Sequence, residues 1–89
     1  MAARDAEQLL TAAEARGSER WIAFLRPLPE QLRDAGLADL RRVAMRARAA
    51  YGPKDSIRDA LPGELTESFL DHIDRLLKAI ARDAVEAVR

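Results

Sequence analysis

Three groups of side chains in this sequence could carry chemistry. The first is Gly52, Lys54, Asp55, Ser56, Arg58 and Asp59, a charged stretch set between Gly52-Pro53 and Pro62-Gly63. Charges of both signs beside a hydroxyl, on a loop held by two helices, suit contact with a ligand or a partner. The same residues also suit a local task. Ser56 is a good helix N-cap, and Asp59 three residues on would complete something close to a capping box, with Asp55 as the alternative cap. Capping accounts for Ser56 and Asp59 without any ligand.

The second group is basic: Arg41, Arg42, Arg46 and Arg48, with Arg33, Lys54 and Arg58 as possible extensions. A basic helix can contact phosphates. Against that, Glu64, Glu67, Asp71 and Asp74 form an acidic block that can pair with these arginines inside the chain or across a dimer. No glycine-rich phosphate cradle and no aromatic residues interleave with the basic run. A helix-turn-helix built from this helix and Ile57–Leu61 would need a long turn containing Pro53 where a short one is expected.

His72 is the third candidate and the only histidine. A metal could use it with Ser68 or Asp71, yet its neighbours four residues away are Ser68 and Leu76, and no Glu-x-x-His or His-Glu-x-x-His pattern is present. The simpler expectation is a surface histidine beside Asp71 and Asp74. Serine, histidine and aspartate occur as residue types, but no nucleophile elbow sets them up for acyl transfer. Carboxylate pairs can be picked from the acidic block, as on any charged helix. The sequence therefore points to a protein that is not an enzyme and uses no cofactor or metal.

The elements that position these residues are helical. Leu65, Phe69, Ile73, Leu76, Ile80, Ala84 and Val88 recur at steps of three and four, and Leu70, Leu77 and Val85 widen the stripe. This predicts one long helix over 64–88. Ala6, Leu9, Leu10 and Ala13 predict a first helix over 3–16, closed by Gly17. It carries only two large inward groups, so it is expected to be the loosest. Ser18 should cap a second helix with Trp21, Leu25, Leu28 and Leu32 on one face and Trp21 at the centre of the core. Pro27 and Pro29 interrupt that helix without disturbing its phase, so it is either kinked or divided, with Pro29 opening the second piece. Leu37, Leu40, Ala44, Ala47 and Tyr51 predict a third helix over 37–50, stopped by Gly52-Pro53. Ile57 and Leu61 suit a single turn. No strand pattern appears.

Size and composition narrow the class. Eighty-nine residues make one domain, 1–89. Hydrophobic residues are 48%, which argues against disorder, but aromatics are only 4%, so the core must be aliphatic. The 15 basic and 15 acidic residues cancel, whereas nucleic-acid binders usually carry a basic surplus. There is no cysteine, so disulfides, thiolate nucleophiles and cysteine-ligated zinc are excluded. The charged start lacks the apolar core of a signal peptide, and no run reaches the ~20 apolar residues that span a bilayer. The expectation is a cytoplasmic protein without membrane contact.

Arg20-Trp21 at the start of an amphipathic helix, followed later by Ala50-Tyr51-Gly52, Ser56 and Asp59 before a last helix, resembles a group of small uncharacterised bacterial helical proteins. Their turn reads Gly-Gly-Met-Gly-Ser-Phe-Asn-Asp. Gly52, Ser56 and Asp59 match it, and Ile57 fills its apolar slot, over a region of residues 20–88. Pro53 and Asp55 replace its second and third glycines, and Lys54 its methionine. The resemblance implies a bacterial helical domain and no activity.

The fold expected from all this is all-α, a small antiparallel bundle of four main helices with a long C-terminal helix. A helix over 64–88 would be about 37 Å long at 1.5 Å per residue, against a diameter of roughly 30 Å for a domain this small. Its last turns should overhang, leaving Ile80, Ala84, Val85 and Val88 uncovered. The leading functional expectation is a protein–protein interaction or self-association module that uses those four residues, either as a homodimer or with another protein. The alternatives are a nucleic-acid-binding regulator using helix 38–50 and a small-ligand site at the 52–59 loop.

Overall fold

The structure, a computed structural model, describes residues 2–52 and 56–88, with the backbone alone for Leu37 and residues 83–88. All regular structure among the described residues is helical: α1 (Ala2–Arg16), α2 (Glu19–Leu25), α3 (Leu28–Asp34), α4 (Leu37–Arg48), a 3₁₀ turn (Ala49–Tyr51), α5 (Ile57–Ala60) and α6 (Gly63–Val88). The molecule is elongated, 48 Å by 25 Å by 18 Å. At 1.5 Å per residue α6 alone is about 39 Å long, so it defines the long axis.

The prolines divide the second helix. α2 stops at Leu25, and Pro27 precedes α3 with Pro29 in its first turn. A proline there forfeits an N–H that would have had no intrahelical partner. Four main helices were expected. The described residues form five of seven residues or more, and α2 and α3 each pack on α1.

α1 is the larger departure from expectation. It was expected to be the loosest helix, yet it packs against α2, α3 and α6 together. Ala6, Leu9 and Ala13 are fully buried in its inner face. Small side chains at 6 and 13 let three helices approach it, so close packing compensates for the shortage of large apolar groups. Gly17 closes α1 in the left-handed region (φ +67°). The amides of Gly17 and Ser18 bond the carbonyls of Glu14 and Ala13, each at 3.1 Å, the paired pattern of a Schellman motif. Ser18 is the N-cap of α2 as expected, but its side chain makes no capping bond.

The core lies along α6. Phe69 and Ile73 are fully buried and meet Leu9, Leu25, Leu28 and Ile57 from the other segments. Trp21 is buried and packs edge-on against Phe24, with ring centroids 5.6 Å apart. Arg48, at the end of α4, pairs with Asp74, whereas Arg41, near its start, lies with Leu77, Ile80 and Ala81. The two helices therefore run in opposite directions, and the start of α4 covers α6 late in its course. Ile80 was expected to be uncovered, but it is only 7% exposed. The side chains of Ala84, Val85 and Val88 lie outside the described residues.

Candidate functional site

His72 is partly exposed, but the acid it meets is neither Asp71 nor Asp74. Its ring Nδ1 is hydrogen-bonded to Oδ2 of Asp5, on α1. Helical geometry explains the difference. At 100° per residue, Asp71 and Asp74 point well away from His72, and each has another partner. Asp71 pairs with Arg75 at 3.2 Å, and Asp74 with Arg48 at 3.1 Å. Ser68, one turn before His72, shares its face and donates from Oγ to both oxygens of Asp5 at 3.3 Å. Asp5 is 8% exposed, so its carboxylate is buried and held by two side chains of α6.

Aspartate, serine and histidine thus do come together, but in the wrong order for nucleophilic catalysis. A serine nucleophile needs a histidine nitrogen to take its proton, with the acid behind the histidine. Here the carboxylate sits between the other two, and the serine hydroxyl faces the acid. What the cluster does is bridge α1 and α6, satisfying a buried carboxylate. Among the described residues no buried side-chain nitrogen or oxygen lacks a partner. Nor do any three His, Asp or Glu side chains among them form a group placed to hold a metal ion.

The loop candidates behave as a cap and its surroundings. Ser56 is buried, and its Oγ accepts the amide of Arg58 at 3.2 Å, which makes it the N-cap of α5. The amide of Asp59 bonds the Ser56 carbonyl at 3.0 Å, but the reciprocal side-chain bond of a capping box is not among those the described residues form. Arg58 turns to Glu67 on α6 at 2.8 Å. Gly52 follows the 3₁₀ turn, and Lys54 and Asp55 lie outside the described residues. Tyr51 anchors this corner. Its ring lies under the guanidinium groups of Arg48 and Arg58, 5.8 Å and 5.4 Å from the centroid, and its hydroxyl donates to the Thr66 carbonyl. Burial, and next Glu67, push the Tyr51 phenol up from its ordinary value against the opposing pull of Arg58 and Arg48. Thr66 itself is fully buried and donates to the Gly63 carbonyl at 3.1 Å. Its spacing from Phe69 and Ile73 places it on the α6 stripe, a signal masked by its polar type.

The four arginines of α4 do not share one face. Arg42 and Arg46 line a cleft against α3 with Glu30 and Asp34, and Arg46 lies 5.9 Å from the Phe24 ring centroid. Arg41 and Arg48 flank the opposite side, toward α6. Arg33 does not extend the run, because it pairs with Glu7 of α1 at 2.6 Å, and that hydrogen bond raises its pKa.

The remaining candidate surface is apolar. Met45 is 55% exposed, the one exposed large hydrophobic side chain among the described residues. It borders an open groove between α4 and α6 with Leu77, Ile80 and Ala81, edged by Arg41. No known protein family, curated protein or solved structure matches the chain. No helix among the described residues is long and apolar enough to cross a membrane.

Proposed function

We propose that this chain is a non-enzymatic interaction module that self-associates through the groove at the start of α4 and the far part of α6. The observation that carries this reading is Met45, exposed beside Leu77, Ile80 and Ala81 where the long helix passes α4. An exposed apolar side chain bordering a part-apolar groove is a feature of association surfaces. In the sequence, Ala84, Val85 and Val88 continue the apolar spacing beyond this groove, which gives a second copy a longer stripe to cover. A small domain also gains most from a partner, since it buries the smallest fraction of its own surface.

Light scattering over a concentration series tests this reading. The parent should pass from monomer to dimer as concentration rises, and Met45→Glu should shift the transition to higher concentration without changing the helical circular dichroism. A parent that stays monomeric throughout would end the proposal. The nucleic-acid reading is disfavoured, because Arg42 and Arg46 lie on one side of α4 and Arg41 and Arg48 on the other, with Arg48 already paired.

A further inference from the structure

On the other side of α6, a cleft of about 590 Å³ opens between the start of α1, α3 and α6. That is within the range of small-molecule sites, roughly 300–1,000 Å³. Ala2, Leu32 and Leu76 supply apolar lining, and the polar groups are Arg4, Arg33 and His72. They differ in what they have left to offer. His72 has committed Nδ1 to Asp5, so Nε2 is its remaining ring nitrogen. Arg33 is anchored by one nitrogen on Glu7, which leaves further N–H donors of its guanidinium. Arg4 is exposed and forms no ion pair among the described residues.

The acids near this cleft are spent. Asp5 is held by Ser68 and His72, and Glu7 by Arg33. The first amides of α1 have no intrahelical acceptors and add the positive end of that helix dipole. The cleft between α3 and α4 differs in this respect. There Glu30, Asp34 and Asp39 stand against Arg42 and Arg46 and cancel the basic charge. Among the described residues the α4–α6 groove also sets one guanidinium, Arg41, at an apolar edge, but the α1–α3–α6 cleft places two, Arg4 and Arg33, beside its apolar lining.

We infer that this cleft binds a small amphipathic carboxylate, its head on Arg4 and Arg33 and its hydrocarbon body on Leu32 and Leu76. Arg4 is the lining guanidinium that carries no acid among the described residues, and one such donor suits a singly charged head better than a doubly charged phosphate monoester. This surface is separate from the Met45 groove, so the inference does not depend on self-association.

The chain has a single histidine, and it lines the cleft, so one imidazole ring signal in NMR reports the site. Octanoate, octanol and acetate are titrated at fixed pH. Octanoate should shift the His72 signal saturably, and octanol and acetate should not saturate it over the same range. Arg4→Gln, at an exposed position, should weaken octanoate binding about tenfold, the effect of losing one charged hydrogen bond of about 1.5 kcal/mol. Arg33→Gln should weaken it in the same direction. The inference is overturned if octanoate leaves the His72 signal unmoved, if octanol binds as well as octanoate, or if Arg4→Gln binds octanoate like the parent.

Discussion

Asp5 and His72 lie 67 residues apart in sequence, yet their side chains are hydrogen-bonded across the contact between α1 and α6. The pair carries a testable energy. Replacing Asp5 by Ala leaves the partly buried His72 and Ser68 without their acceptor, and a lost partner of this kind costs about 1–3 kcal/mol. In a domain of this size each 1 kcal/mol lowers Tm by about 4–8 °C. A double-mutant cycle of Asp5→Ala and His72→Ala, read by urea unfolding, should give a coupling of about 1 kcal/mol. Strictly additive single effects would mean that the contact contributes nothing.

Much of the fold is legible in the sequence because it depends on local spacing. The stripe of Phe69, Ile73 and Ile80, the Gly17 stop, the interruption at Pro27 and Pro29 (though not whether it kinks or divides the helix), and the Ser56 cap all follow from residues within a few positions of one another. The Asp5 cluster does not. Its partners come from opposite ends of the chain, and the acids adjacent to His72 in sequence point elsewhere on the helix. Nor is the role of α1 legible there, because its alanines gain their value from three neighbours that periodicity cannot place.

Tyr51 should give stability a dependence on alkaline pH. Its folded pKa is raised, chiefly by burial, above the unfolded value of about 10. The folded state therefore holds the phenol proton more tightly than the unfolded chain. The contribution is intact below about pH 10 and is lost as pH rises from there toward the folded pKa, by at most about 1.4 kcal/mol per pH unit. Tyr51→Phe cannot titrate. Comparing urea midpoints of parent and variant at neutral and strongly alkaline pH should show the parent losing more. Equal losses would remove Tyr51 as the cause.

Gly17→Ala should destabilise by about 1–2 kcal/mol, the cost of a left-handed backbone for a residue with a β-carbon. The space around Gly17 is open, with no atom within 4 Å of an added β-carbon, so backbone strain is the only cost. Gly17→Asn should recover part of the loss, because asparagine tolerates this conformation better. Chemical unfolding of the three proteins gives the order, and an alanine variant as stable as the parent would contradict the Schellman closure.

Ile80 and Met45 border the same groove but should respond oppositely to substitution. Ile80 is 7% exposed, so Ile80→Ala removes packed methyl groups and should cost about 2 kcal/mol, the low end for such truncations because the site borders an open groove. Met45 is 55% exposed, and Met45→Glu should change stability by less than about 0.5 kcal/mol. Urea unfolding at a concentration where the protein is monomeric separates the two effects from any association. The contrast decides which substitution can report on self-association. A charge at Ile80 would damage the α4–α6 contact and could abolish a dimer by unfolding its protomers. A charge at Met45 acts only on what approaches from outside. If Met45→Glu instead destabilised the monomer as much as Ile80→Ala, Met45 would be part of the core, and the groove would not be an open surface.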